Sequence, residues 1–500
     1  MALSLGWTVD VPSLSSSILL AVLTLLIFTV LRRKKDRFPP GPPALPLLGN
    51  IWQISTSAPH KSLLKLSQVY GPVFTVWLGR QRAVVFAGYE TVKDVLVTRG
   101  DEFNDRFLLP FMQRISRGYG VLASSGDRWK QLRRFTLTTL RDFGMGKRSL
   151  EERIQEEAQN LVTVIGDTQE KPFDPDYPLR CAVSNVICSI VFGDRFSYKD
   201  ETFLMLMDLV AESVYLVNSP WGQIYNNFPT VFDALPGPHN KLFANSKKLQ
   251  DFMSEMILRR KETFQKDHHR DYIDTFLAKM DEEGKQNPEN EFNHKNLLMT
   301  VFNLFFAGTE TTSTTLRWGL RFLQKYPRVQ ERVQDEIDRV IGRDRCPAMD
   351  DRAKMPYTNA VIHEVQRCID LVPMNLPHMV SRDTEYRGYS IPKGTLVIPL
   401  LSSVLNAPTQ WETPETFNPE HFLDANGNFR KREGFMAFSA GKRMCLGESL
   451  ARMELFLFFT VMLQKFSFRP LETPEEVDVT PAVSGMLVLP RAYQCQALAR

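Results

Sequence analysis

The chain has 500 residues, 43% of them hydrophobic and 34 of them Phe, enough apolar matter for a large core and too much for a disordered chain. A net charge of +4, with no Lys/Arg stripe interleaved with aromatics, excludes a nucleic-acid surface. Six cysteines, at 181, 188, 346, 368, 445 and 495, are too few and too scattered for a disulfide scaffold, and no pair has zinc-ligand spacing.

Val11 to Leu31 carries no charge, and as a helix it would span about 30 Å, one hydrocarbon core. A cleaved signal peptide would have positive charge before this run, but Asp10 stands there and Arg32-Arg33-Lys34-Lys35 follows. The pattern predicts a lumenal N-terminus with one transmembrane signal anchor over 1–31. A basic stop-transfer and proline-rich hinge covers 32–46, and a cytosolic domain covers 47–500. Phe38-Pro39-Pro40-Gly41-Pro42-Pro43 favours stiff, extended backbone. Residues 73–78 and 83–87 read as a hairpin around Gly79-Arg80-Gln81-Arg82. From about 90 to 370 the texture is helical, broken by Pro/Gly loops near 105–120, 218–240 and 284–293, and a strand-like segment, Thr395–Leu401, follows. The expectation is mainly α with minor β, in a single large domain. Cys181 and Cys188, seven apart in an apolar run, should share a buried helix face.

Four constellations carry chemistry. Trp129 and Arg133 lie four apart in a basic helical segment, where an exposed cation–π pair is the ordinary outcome. Ala307-Gly308-Thr309-Glu310-Thr311-Thr312 interrupts an apolar helix predicted from Phe292 to Leu323. Glycine inside a helix costs about 1 kcal/mol relative to Ala. Gly308 is read either as room for a flat cofactor and a diatomic ligand, or as a helix-packing glycine. Thr311 offers a hydroxyl toward oxygen and Glu310 an acid to supply protons. Glu364 and Arg367 stand at i and i+3 in a helix from Asn359 to about Leu371, and can pair. Last, Phe438-Ser439-Ala440-Gly441-Lys442-Arg443-Met444-Cys445-Leu446-Gly447 places one Cys just before a helix over Glu448–Thr460. Unpaired N–H groups there favour a thiolate, the ligand a soft axial iron site requires. Gly441 and Gly447 would let the backbone turn and approach a macrocycle.

These blocks, in this order, resemble the cytochrome P-450 family, and with the N-terminal anchor and proline hinge most resemble its microsomal family-two branch. The resemblance implies a helical domain enclosing haem b (iron protoporphyrin IX), with Cys445 as the axial iron ligand. Phe438 would pack beside the sulfur. Trp129, Arg133, His378 and Arg443 would hold the propionates. Glu310, Thr311 and Gly308 would handle oxygen and protons. Glu364 and Arg367 would form a scaffold network whose third member is commonly Arg in Pro-Glu-Arg-Phe; this chain has Pro419-Glu420-His421-Phe422, which leaves the His421 leg open. Substrate contacts implied are Phe107, Phe111, the segment Val210–Leu216 with Glu212, Phe302, Asn303, Phe306, Ala307, Val372, Met374 and Met486. Glu212 is either an attractor of basic amines or a solvated helix residue.

The implied reaction inserts one atom of O2 into lipophilic small molecules (xenobiotics, fatty acids or steroids). Electrons would come from NADPH through a separate NADPH-cytochrome reductase, since no Gly-x-Gly-x-x-Gly fingerprint is present. Cytochrome b5 is a further candidate partner, and the implied location is the endoplasmic reticulum membrane. Lys130, Arg134, Lys431, Arg432 and Lys442 are candidates for a basic docking rim. Two alternatives stay open: a haem-thiolate isomerase acting on peroxides, and a non-enzymatic haem sensor.

Overall fold

The computed structural model describes residues 37–144, 148–265, 269–286 and 290–500. The expected anchor at 1–31, and the start of the hinge, lie outside the described residues. Among those described, no single helix is long and apolar enough to cross a membrane.

Among the described residues, thirteen helices of seven or more residues dominate. In chain order they are α1 (Pro59–Tyr70), α2 (Pro110–Ser116), α3 (Gly126–Asp142), α4 (Arg148–Gly166), α5 (Asp176–Val191), α6 (Glu201–Asn218), α7 (Pro220–Asn227), α8 (Pro238–Glu262), α9 (Tyr272–Gln286), α10 (His294–Lys325), α11 (Pro327–Val340), α12 (Pro356–Ile369) and α13 (Glu448–Lys465). The regions read from sequence as loops hold short helices. Pro110 and Pro220 occupy first-turn positions of α2 and α7, where a missing N–H costs nothing. The Ser219 hydroxyl caps α7 by accepting from the Gly222 N–H at 3.3 Å. Helix α9 likewise runs through Gln286, into the third expected loop.

α10 is the axis of the molecule, 32 residues or roughly 48 Å at the helical rise. Asn293 caps it by accepting from the Asn296 N–H, and Tyr326, held out of helical geometry before Pro327, ends it. α5 packs along α10, and α4 packs on α5 and α13. The main core gathers residues of these helices with α12. Cys181 and Cys188 are both buried on α5.

A five-stranded sheet flanks this body: β1 (Val73–Leu78), β2 (Gln81–Phe86), β3 (Asp105–Arg106), β4 (His378–Met379) and β5 (Leu396–Pro399), in the order β1-β2-β5-β4-β3. β1 and β2 pair antiparallel, Val73 opposite Phe86 and Leu78 opposite Gln81. The turn is therefore Gly79-Arg80, two residues shorter than the sequence suggests, with Gly79 at φ +60, the first central position of a tight hairpin. β2 runs parallel to β5, and Arg106 of β3 stands opposite His378 of β4. That pairing brings two segments some 270 residues apart to one edge.

Candidate functional site

The Cys445 loop is held in shape by its own backbone. The Cys445 N–H donates to the Phe438 carbonyl at 3.0 Å, and Gly441–Arg443 forms a single 3-10 turn between them. Gly441 sits at φ +70, and a side chain there would collide with the Leu96 carbonyl, so only Gly fits. Its close approach is to this helix carbonyl. Gly447, by contrast, faces open space. Two contacts pin the loop: Arg133 Nη2 donates to the Met444 carbonyl at 2.6 Å, and Asn375 Nδ2 donates to Ser439 Oγ at 2.9 Å. The Arg452 guanidinium lies 5.1 Å from the Phe438 ring.

The expected thiolate stabilisation is partial. Burial pushes the Cys445 thiol up, and the Gly447 N–H works against it without prevailing. Cys445 is thus enclosed by protein while its own surface is accessible, as is that of Ala307 on α10. Residues on the wall of an internal space show this combination. An iron ligated at the sulfur would reverse the balance, because coordination deprotonates a thiol outright.

Beside the loop lies a cluster of cations. Arg443 is buried, stacked 3.9 Å over Trp129, and donates to the Asn104 and Ser124 carbonyls at 2.7 and 2.8 Å. Arg106 is buried and donates to the Leu376 and Pro377 carbonyls. His378 is 2% exposed; its Nδ1 bonds the Phe103 carbonyl at 2.7 Å, and its Nε2 has no protein partner. Burial, then repulsion from Arg106, brings Arg443 down to about 8. Burial and Arg133 bring Arg106 to about 10. Burial and Arg106 hold His378 well below the usual histidine range. Among the described residues no carboxylate pairs with Arg106, Arg133 or Arg443. Three guanidiniums and an unpartnered imidazole nitrogen converge with only the Asp105 carboxylate acting near Arg443, an excess of positive charge that fits an anionic group such as the propionates of haem.

Sequence reading missed Arg106, which lay in a stretch taken for a loop. No strong signal was available: Arg106 follows Asn104 and Asp105 between Phe103 and Phe107, which reads as an ordinary polar turn.

On α10, Ala307 and Thr311 are one turn apart and both accessible, and Thr311 Oγ1 donates back to the Ala307 carbonyl at 2.9 Å. Two expectations change here. A Cβ on Gly308 would meet Ile187 Cδ1 of α5 at 2.5 Å, so Gly308 is a helix-packing glycine. Glu310 is 3% exposed and turned toward α5: Thr314 Oγ1 donates to it at 3.2 Å and Arg180 Nε lies 3.5 Å away. Neighbours i and i+1 are 100° apart on a helix, so Glu310 and Thr311 do not share a face. Burial raises the Glu310 carboxyl, with Arg180 opposing.

Of the expected substrate contacts, Phe107, Phe111, Met374 and Met486 line one cavity of about 230 Å³. Phe302 and Phe306 stack on each other at 5.8 Å. Asn303 is spent elsewhere, its Oδ1 accepting the Leu122 N–H at 3.2 Å. Val372 is half-buried just after α12. The Glu212 carboxylate, on α6, pairs with Lys241 and accepts from Asn245 Nδ2 at 2.9 Å, both on α8. It is held below the usual range by those two groups, so the solvated reading stands.

The scaffold network is complete. Arg367 and Glu364 are fully buried and bidentate, at 2.7 and 2.8 Å. Arg367 also donates to the Leu405, Pro414 and Thr416 carbonyls. His421 fills the third place, its Nδ1 3.1 Å from Glu364 Oε1 while Nε2 meets the Thr413 hydroxyl at 2.9 Å. Burial opposes ionisation of Glu364, but Arg367, His421 and the Asn418 N–H outweigh it and lower its pKa. Arg432, expected on a docking rim, instead pairs with Glu412 and lies 5.0 Å over Trp411. Lys130 and Lys442 are exposed and paired with Asp127 and Asp101.

The cytochrome P450 family profile matches residues 39–497. Cytochrome P450 2F3 of Capra hircus is 50% identical over 490 residues, 98% of this chain and all of its own. Cytochrome P450 2F1 of Homo sapiens is 51% identical over 484 residues (96% and 98%), and cytochrome P450 2C8 of Homo sapiens 50% over 472 residues (94% and 96%). With the cysteine loop, the cationic cluster beside it and these likenesses in agreement, the chain belongs to the cytochrome P450 family, in its family-two branch, and is a haem-thiolate monooxygenase carrying haem b.

Proposed function

We propose that the chain oxidises neutral-to-lipophilic small molecules at the endoplasmic reticulum membrane. Electrons come from NADPH through a separate flavoprotein reductase, with cytochrome b5 as a second donor. The haem supplies oxygen activation; the residues here bind, orient and protect. Cys445 supplies the axial sulfur, and Arg106, Trp129, Arg133, His378 and Arg443 hold the propionates. The observation that carries this reading is the cationic cluster beside the cysteine loop, because buried charges of one sign persist only where a counter-charge binds.

Thr311 Oγ1 is the proton donor of the pocket: it faces the accessible side of α10 and can exchange its bond to Ala307 O for one toward oxygen. Glu310 acts at one remove, fixing α10 against α5 through Arg180. The exposed cations Lys130, Arg134, Lys431 and Lys442 form the face that meets an acidic donor protein, with an affinity that falls as salt rises. The uncharged run over 11–31 anchors the chain, and the basic cluster after it keeps the catalytic domain cytosolic.

Reconstitution with the reductase, NADPH, isotopically labelled O2 and a lipophilic probe tests this. Label in the product, with Thr311→Ala raising peroxide released per NADPH, is the expected result. Product formed from peroxide alone, with no dependence on reductase, would sink it.

A further inference from the structure

We infer that Asn375 is a positioning residue for the Cys445 loop: it carries the occupancy of the substrate cavity to the axial sulfur, so that a bound molecule steadies the loop. The inference rests on the reading of the cavity behind Phe107, Phe111, Met374 and Met486 as the substrate's route. Asn375 lines that cavity beside Met374, and Ser439 lies outside its wall.

Two segments 64 residues apart meet at this point, each through a residue with left-handed backbone. Asn375 sits at φ +56 and Ser439 at φ +61. Asparagine visits that region readily, whereas serine does so at a cost and stays there only when its surroundings hold it. Asn375 supplies a hold. Its Oδ1 accepts the Leu376 N–H at 2.8 Å, which fixes the amide so that Nδ2 faces Ser439 and donates to its Oγ at 2.9 Å. Ser439 follows Phe438, whose carbonyl accepts the Cys445 N–H at 3.0 Å. Its torsions therefore set how the 438–445 loop closes on the cysteine.

The residues after Asn375 are fastened. Arg106 donates to the Leu376 and Pro377 carbonyls at 3.0 and 3.2 Å, and His378 Nδ1 bonds the Phe103 carbonyl at 2.7 Å. Movement in this stretch is thus left to the half-buried corner at Met374 and Asn375, which faces the cavity. A molecule packed on that corner removes the space into which the Asn375 amide could turn away from Ser439. It binds better when the bond is made, and so shifts the loop toward its bonded form. By linkage the converse holds, and a loop without the bond must bind the molecule less tightly.

The test uses the haem-loaded full chain. The ferrous–CO band is timed as it converts to the form that has lost its thiolate, with and without butylbenzene, whose binding is read by equilibrium dialysis. Butylbenzene should slow the conversion in the wild type. Asn375→Ala and Ser439→Ala should each speed conversion about tenfold, what one ordinary hydrogen bond is worth, lose the protection and bind butylbenzene more weakly. The two together should do no more than either alone. Ser439→Gly separates the bond from the strain, because glycine takes left-handed backbone freely. It should convert more slowly than Ser439→Ala does, yet gain no protection. Asn375→Asp, whose carboxylate can accept both the Leu376 N–H and the Ser439 hydroxyl, should restore the protection. Protection that survives in Ser439→Gly, or additive losses in the double variant, would overturn the inference. So would butylbenzene that binds the wild type without slowing conversion. If the wild type does not bind butylbenzene at all, the cavity is not the substrate's route, and the underlying reading fails and takes the inference with it.

Discussion

Replacing Arg367 by alanine strips five donors from a fully buried site. The Glu364 carboxylate loses a bidentate partner at 2.7 and 2.8 Å and keeps His421, the Asn418 N–H and the Cys368 thiol. Breaking such a buried pair costs about 3–5 kcal/mol. Three carbonyls, of Leu405, Pro414 and Thr416, lose their donor as well, each worth about 1 kcal/mol or more when buried. The sum, about 6 kcal/mol or more, is comparable to the whole stability of an ordinary domain, about 5–15 kcal/mol. Arg367→Ala should therefore accumulate as haem-free, misfolded protein. Arg367→Lys keeps the charge but not the fork, and should lose about half as much. His421→Ala removes one donor of several and should cost only about 1–3 kcal/mol. Urea unfolding followed by circular dichroism, with haem absorbance read beside it, orders the three. If Arg367→Ala unfolds within about 1 kcal/mol of wild type, the network is not what holds α12 to the 405–421 segment.

Asp370, at the left-handed end of α12, is raised to about 7 by burial, with Ser402 and Arg367 only partly offsetting it. Its unfolded value is 3.8, so between those two values the folded state binds the extra proton and stability falls as pH rises. Asp370→Asn should remove that slope and be the more stable protein above pH 7; matching urea midpoints across that range would refute it. Gly308→Ala should destabilise by about 1–3 kcal/mol through overpacking against Ile187, and Ile187→Ala should restore most of the loss in a thermal melt. Absence of rescue would return Gly308 to the pocket. Glu212→Gln should change stability by less than about 1 kcal/mol and leave amine affinity in dialysis where it was; a fall in amine binding would place Glu212 in the substrate's path.

What was legible in the sequence was spacing within one segment. The Cys445 loop and the Glu364/Arg367 pair are local patterns, and the structure builds both. Contacts between distant segments were not legible. Arg106 meets His378 only because β3 pairs with β4, and no local pattern encodes that. Whether Gly308 opens a pocket or seats Ile187 depends on which helix lies opposite, and whether Glu212 faces in or out depends on where α8 puts Lys241. The short helices were misread for a different reason: proline was taken as a breaker, whereas Pro110 and Pro220 start helices. His421 shows the reverse case, a departure from the usual arginine that the fold accommodates because Thr413 binds the other ring nitrogen.

The central claim is that Cys445 holds a haem iron, and the ferrous–CO difference spectrum of the purified protein, recorded beside Cys445→Ser, tests it most directly. A strongly red-shifted Soret band that disappears in the variant is the expected result. A histidine-type spectrum unchanged by the substitution, or a protein that retains no haem, would contradict it.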